Sequence, residues 1–272
     1  MAHPSTDAPD ADELRQAVGR VRWYHTIELP GGVVTPGRWD TRHALRRLPI
    51  PASLAGQRCL DVGTWDGFWA FEMERRGAAE VVAMDVADVS AWDWPELARP
   101  ASLEAWRRGG AGEHPGFDIA GEALGSHVRR LELSVYDVSP QEIGTFDFVL
   151  MGSLLRHLRD PVRALSVLRS VVRGVLLSAD GFSITLTLVR PFRPAADLAG
   201  LDQPHWWSPN LACRRRLLEA PGFRVLRTGR PYLLKRGPGG RRLGLSPRAR
   251  FIELIGLPQV WVLASPAEQT EA

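Results

Sequence analysis

The stretch from Arg58 to Asp85, RCLDVGTWDGFWAFEMERRGAAEVVAMD, constrains the fold of this chain more than any other. Cys59-Leu60-Asp61-Val62 is a short apolar run, the mark of a buried strand. Gly63 and Gly67 flank a tight turn, where residues without Cβ permit positive φ and close approach of a ligand to the backbone. Phe68, Trp69, Phe71 and Met73 follow, and the pattern stops at Gly77-Ala78, which predicts a short amphipathic helix. Val81-Val82-Ala83-Met84 is a second strand with Asp85 at its carboxyl end. In a parallel sheet that end is where ligands bind.

Two ligands compete for such a turn. A dinucleotide site calls for G-x-G-x-x-G and a pyrophosphate on the helix N-terminus. Here the turn is Gly63-Thr64-Trp65-Asp66-Gly67, with acids at Asp61 and Asp66 on both sides of the loop. Negative charge repels a pyrophosphate and suits a cation, so a nucleoside with a positively charged amino-acid tail fits better. A β-α-β turn with no ligand is the bland alternative. D-V-G-x-x-x-G followed by an acid after the next strand resembles the first two motifs of the class I S-adenosylmethionine-dependent methyltransferases. The resemblance implies an α/β fold: a Rossmann-like, seven-stranded sheet with helices on both faces.

The 272 residues suffice for one large core. With 44% hydrophobic and 24% charged residues the composition is that of a soluble globular protein. Two cysteines, Cys59 and Cys213, imply no disulfide framework and suit a reducing cytoplasm. The N-terminus is polar and acidic, unlike a signal peptide. No run approaches the roughly 20 apolar residues of a membrane span. A net charge of +3 raises nucleic acid as a partner, but Lys235 is the one lysine among 34 basic residues, which is what high-GC codon usage gives. Lys235-Arg236, Arg241-Arg242 and Arg248-Arg250 form a local cluster that reads as a phosphate contact or as a solvated loop.

Taken in order, residues 1–10 read as a disordered tail, 11–50 as an N-terminal cap and 51–272 as the cofactor-binding domain. The cap combines a helix over 11–21 with a hairpin over 23–40 that turns at Gly31-Gly32. Residues 88–128, with three tryptophans and several Gly/Pro breaks, read as an insertion after the second core strand, with one helix at 117–124. Arg129 to Val135 reads as the third strand and Phe146 to Leu150 as the fourth. Pro161 opens a helix capped by Asp160. Gly174 to Ser178 reads as the fifth strand, and Phe182 to Val189 alternates like another beyond the turn Ala179-Asp180-Gly181. Residues 190–210 read as a long loop, Asn210 as the cap of a helix over 211–219, and 223–228 with 259–264 as the closing antiparallel pair.

From Trp23 to Ala264 the chain resembles the tRNA wobble-uridine (mo5U34-type) methyltransferases and their small-molecule relatives, through LDVGTWDGFWAFE, FDFVLMGSLLRHLRDPVRAL, WWSPNLACRRRLLEAPGF and the TIELPGG–TPGRWD hairpin. The resemblance implies S-adenosylmethionine as cofactor and no metal. Carried over by position, Asp61, Gly63, Thr64 and Gly67 form the methionine-side turn, and Asp85, with Val86 after it, holds the ribose hydroxyls. Asp137 and the amide of Val138 hold adenine, and Met151-Gly152-Ser153 borders the activated methyl. An acid at a strand end is also a common N-cap. Tyr24, Trp39, His205, Trp206 and Trp207 are the candidate acceptor wall. His157, ahead of His25, is the candidate for removing a proton from the acceptor; the same position also suits a packing histidine. The turn departs from the wobble-uridine pattern, and no long nucleic-acid-binding region precedes it, so a small-molecule acceptor (O, N or C) in secondary metabolism is the leading reading. The alternatives are tRNA modification, and a non-methylating cofactor-binding protein or cyclase on the same fold.

Overall fold

The computed structural model describes residues 11–108, 115–199, 204–240 and 255–267. The tail at residues 1–10 and the arginines from 241 to 250 lie outside the described residues.

The chain opens with α1 (Ala11–Gly19), which buries Leu14 and Val18. The hairpin β1 (Glu28–Leu29) and β2 (Val33–Val34) follows, turning at Pro30–Gly32, and then β3 (Trp39–Asp40). The core begins with β4 (Arg58–Val62), α2 (Phe68–Arg75) and β5 (Glu80–Asp85). Two helices come next, α3 (Arg99–Arg108) and α4 (Pro115–Leu124), before β6 (Arg129–Glu132). A single-turn α5 (Pro140–Ile143) leads to β7 (Phe146–Gly152), α6 (Pro161–Arg169) and β8 (Val172–Gly181). After α7 (Ile184–Val189) and the strands β9 (Ala196–Leu198) and β10 (Trp207–Pro209) comes α8 (Leu211–Glu219). The closing strands are β11 (Phe223–Thr228), β12 (Tyr232–Arg236) and β13 (Leu257–Pro266).

The main sheet has the order β3-β12-β13-β8-β7-β4-β5-β6, with β11 also on β13. From β6 through β8 the strands run parallel, while β13 is antiparallel to β8, β11 and β12. The seven expected strands are thus present, β11 and β12 share one edge of β13, and β3 of the cap joins through β12. Two apolar clusters fill the faces: Trp69, Met73 and Phe117 lie in one, Val62, Leu165 and Leu176 in the other. β4 pairs with β5 on one side and β7 on the other, so the chain direction of the crossovers reverses beside β4. That switch point is the ligand crevice of open α/β sheets.

Caps at Asp160 and Asn210 form as the sequence predicts, each side chain accepting a backbone N–H of the first turn. Four expectations are corrected. Phe182 to Val189 is not a strand: β8 continues through Gly181 and both its edges are taken by β7 and β13. With no edge to join, the segment forms α7, capped by Ser183 Oγ, which accepts the N–H of Leu186. The loop 190–210 contains the antiparallel pair β9–β10, whose exposed β9 has no apolar pattern to reveal it. The third strand ends at Glu132 rather than Val135. Within 88–128, α3 is a second helix, and α4 is the crossover between parallel β5 and β6, burying Phe117, Ala120 and Ala123.

Candidate active site

A cavity of about 630 Å³ opens at the switch point, above the carboxyl ends of β4, β5 and β7. Its floor is Val62-Gly63 after β4, Met84-Asp85-Val86 after β5, Ser134-Val135-Tyr136 after β6 and Gly152-Ser153 after β7. The Gly63 turn has φ +77°, and its N–H donates to Met84 O at 2.9 Å. At Gly67 (φ +85°) a Cβ would lie 2.4 Å from the Phe71 ring, so only glycine lets α2 start there. Two non-glycine residues have positive φ among the described residues, Trp65 (51°) and Ser153 (54°), and both line the cavity. Strained backbone of this kind gathers at functional sites.

Asp61 lies beneath the turn with no solvent exposure. Neither carboxylate oxygen has a hydrogen-bond partner of good geometry, and the nearby Thr64 hydroxyl has none either. Burial pushes the Asp61 pKa up to about 7, against smaller opposing contributions from Thr64 and His25. Asp85 has more partners: it accepts the N–H of Trp65 at 2.9 Å and of Val86 at 2.8 Å. Its carboxylate stands at the cavity wall.

The cap supplies Tyr24, His25, Arg38 and Trp39 to the same cavity. Asp66, from the Gly63–Gly67 turn, receives three N–H groups from this segment. Its Oδ2 accepts the amides of Tyr24 and His25, both at 2.8 Å, and its Oδ1 is paired with His25 Nδ1. His25 and Asp66 are 4% and 2% exposed, so the pair is shielded from water. Thr35 Oγ1 donates to His25 O at 2.8 Å, and the imidazole stacks on Phe68 at 5.5 Å. With Nδ1 on the carboxylate, Nε2 is the nitrogen left to take a proton.

His157 follows β7 and also lines the cavity. Its Nδ1 lies 2.9 Å from Pro204 O. A carbonyl only accepts, so Nδ1 carries the hydrogen and Nε2 has the lone pair. Part of the ring reaches the cavity surface, yet protein atoms surround it, and burial together with Arg156 lowers its pKa to about 4. His205 is buried and lines the cavity 6.1 Å from the His157 ring.

Several sequence candidates lie elsewhere. Asp61, Thr64 and Gly67 shape the turn from behind, and Met151 is buried in the sheet core. Asp137 and Val138 do not line the cavity: β6 ends early, Asp137 is exposed in a turn closed by its own N–H on Ser134 O, and Val138 is buried. Ser134 and Val135 occupy the wall instead. Trp206 and Trp207 do not line it either. Their indole N–H groups donate to Asp93 O and Arg159 O, tying the loop to the segments around it. Asp93 also accepts from the Tyr136 hydroxyl at 2.8 Å, so the knot braces the cavity edge.

The residues missed from sequence are the aromatic group Trp65, Trp92, Trp94 and Trp106, with ring centroids 5.1–5.3 Å apart along the chain of contacts, and the cations Arg38 and Arg156. Three of the tryptophans sit in the Gly/Pro-broken 88–128 stretch, and that tryptophan density was the available signal. Among the described residues no cluster of three or more His, Cys, Asp or Glu side chains is placed to hold a metal, and no helix is long and apolar enough to cross a membrane.

No protein-family model matches the chain. It is 29% identical over 185 residues to a ubiquinone biosynthesis O-methyltransferase of Xanthomonas oryzae pv. oryzae (strain PXO99A), covering 64% of each chain. It is 27% identical over 162 residues to the protein of that name from Xanthomonas euvesicatoria pv. vesicatoria (strain 85-10), covering 55% of this chain and 58% of the other. The matches span about three fifths of the length of these curated relatives. Among solved structures, the N-terminal domain of EvdMO1 in the presence of SAH and D-fucose superposes with a TM-score of 0.55 at 15% identity, covering 97% of this chain and all of that one. The same domain with SAH bound gives 0.52 at 16% identity, covering 94% and 96%. The chain has the fold of the class I S-adenosylmethionine-dependent methyltransferases.

Proposed function

We propose that this chain transfers a methyl group from S-adenosylmethionine to a small-molecule acceptor, with His25 receiving the acceptor's proton. The observation that carries the reading is Asp61: a fully buried acid with no hydrogen-bond partner of good geometry and only weak support from Thr64 and the Ala70 amide, set behind a glycine turn at the switch point of the sheet. An unpaired buried carboxylate is costly unless a cation answers it. The amino-acid end of the cofactor carries an ammonium and a sulfonium, so the acid suits this group where it would repel a pyrophosphate. Asp85 suits two vicinal ribose hydroxyls through charge-assisted bonds. Ser134, Val135 and the tryptophan group offer the apolar surface that adenine needs.

The cofactor supplies a methyl group already activated on sulfur. Alignment and exclusion of water are then the chief tasks of the protein. Tyr24 and Ser153 shape the space beside the transfer, and Gln259 fixes the Ser153 hydroxyl by donating to it at 2.7 Å. His25 Nε2 would receive the acceptor's proton as the methyl passes to the acceptor oxygen and the carbon–sulfur bond breaks with its pair left on a neutral thioether, and the Asp66 carboxyl on Nδ1 would orient the ring for that proton. His157, held neutral with its Nε2 lone pair, orients the acceptor by accepting a hydrogen bond. The O-methyltransferase name of the matched relatives supports oxygen as the acceptor atom. Secondary metabolism rests on composition alone.

Calorimetric titration with S-adenosylhomocysteine tests the cofactor assignment, and binding with a Kd at or below the micromolar range is expected. Preference for NAD, or no binding of either, would end this reading. Salt-sensitive tRNA binding followed by tRNA methylation would favour the wobble-uridine enzyme instead.

A further inference from the structure

Tyr24, Arg38, Arg156 and His157 meet at one end of the cavity, close enough that the charges of both guanidiniums bear on the phenol and the imidazole. The carboxylate that acts on this group is Asp180, 1% exposed. Its oxygens accept the backbone N–H of Gly181 at 2.6 Å and of Arg156 at 3.4 Å. Asp180 also faces the buried guanidinium of Arg214, whose hydrogen bond goes to Ser178 Oγ at 3.0 Å. Asp180 thus lies beside Arg156 and Arg214, and Arg38 is the third arginine of this group.

Arg38 is the least answered of the three. Among the described residues its guanidinium makes no ion pair and no side-chain hydrogen bond; it lies 5.7 Å over the Trp39 ring. Its backbone is pinned in the cap, the N–H donating to Trp23 O at 3.0 Å and the carbonyl accepting from Gly237 at 2.9 Å. A planar fork on a fixed stem, stacked on an indole and facing a cavity, is matched to a carboxylate.

We propose that the acceptor is an anion, an aromatic or aliphatic hydroxy acid, and that Arg38 with Arg156 holds its carboxylate while its hydroxyl faces the histidines. This deepens the methyl-transfer reading and rests on it. Burial chiefly, with Arg156 and Arg38 adding to it against Asp180, keeps His157 neutral at this end. The amino-acid end of the cofactor offers a carboxylate of its own, so the experiment separates the two sources.

Wild type, Arg38→Met and Arg38→Lys are titrated first with S-adenosylhomocysteine and with 5′-methylthioadenosine, which lacks the amino-acid end. Each protein, saturated with S-adenosylhomocysteine, is then titrated with hydroxybenzoic and dihydroxybenzoic acids, short aliphatic hydroxy acids, and the matching primary amides. In Arg38→Met we expect S-adenosylhomocysteine affinity within about twofold of wild type. We expect wild type to bind at least one acid about tenfold more tightly than its amide, with the preference lost in Arg38→Met and partly kept in Arg38→Lys. A tenfold loss of S-adenosylhomocysteine binding with 5′-methylthioadenosine unaffected assigns Arg38 to the cofactor and overturns the proposal. Acids binding no better than amides, or not at all, overturns it equally. Wild type that fails to bind S-adenosylhomocysteine refutes the methyl-transfer reading itself, a result visible before any acid is added. Thermal unfolding of the variants identifies loss of fold.

Discussion

Two of the three histidines that line the cavity, His25 and His157, are held by different partners. His25 has a carboxylate, Asp66, on Nδ1 in a site almost closed to water. His157 has a carbonyl, Pro204 O, and guanidiniums nearby. Both arrangements leave Nε2 as the acceptor, but only the first sets a carboxylate on the ring itself; Asp180 bears on His157 through its charge, against Arg156 and Arg38. A carbonyl fixes the tautomer and no more. The ring with a pKa near 4 gives up a proton too readily to hold one, so it serves as a hydrogen-bond acceptor.

The sharpest way to break this contrast is to remove each ring. His25→Ala should lower kcat by about 10²–10⁴-fold while leaving S-adenosylhomocysteine affinity within a few-fold. His157→Ala should cost about tenfold or less and fall mainly on KM. Steady-state kinetics on the same acceptor decide it, and the reverse order would return the proton to His157. Asp66→Asn keeps the volume but loses the carboxylate on Nδ1, and it should lower kcat nearly as far as His25→Ala with S-adenosylhomocysteine affinity unchanged; an unchanged kcat would leave Asp66 a brace between cap and turn.

Next in size is the cofactor end. Asp85→Ala should weaken S-adenosylhomocysteine binding by about 100-fold, since it removes two charge-assisted bonds and frees the amides of Trp65 and Val86.

Asp61 gives a pH signature. Its folded pKa of about 7 lies above that of an unfolded aspartate, so the folded state holds its proton more tightly. Stability from this group is therefore greatest below pH ~4 and falls as pH rises to about 7, by up to roughly 4 kcal/mol. Asp61→Asn should raise the thermal midpoint of the unliganded protein at pH 8. It should also abolish the gain in cofactor affinity expected between pH 6 and 8, because only the ionised acid answers a cation. A midpoint that falls would show that Asp61 is structurally satisfied.

His157 runs the other way. Its folded pKa is lowered, so its contribution is present above pH ~6.5 and is lost as pH falls towards 4. His157→Gln should flatten that acid limb in a denaturation series from pH 7 to 4. An unchanged limb would place the destabilisation elsewhere.

The same contrast separates what could be read in advance from what could not. The β4–α2–β5 unit, its glycine turn and Asp85 are local: each follows from residues within thirty positions, and the structure places them as the spacing requires. The N-caps at Asp160 and Asn210 are local too. Asp137 misled because strand length is not local. β6 stops where Leu133 N–H donates to Asp85 O, and the cavity wall there falls to Ser134 and Val135. The alternation of Phe182 to Val189 misled for a similar reason, since a strand needs a free edge and β8 offered none.

The sequence by itself determined the β4–α2–β5 side of the cavity, because a β-α-β turn is specified by hydrophobic period and glycine position over a short span. Only the tertiary structure decided the side that the cap closes. It joined His25 to Asp66 across 41 positions, set Arg38 and Arg156 beside His157, and drew Trp206 away from the cavity. Those pairings are fixed by how the cap folds onto the sheet, and burial, rather than residue type, sets the charge each group carries.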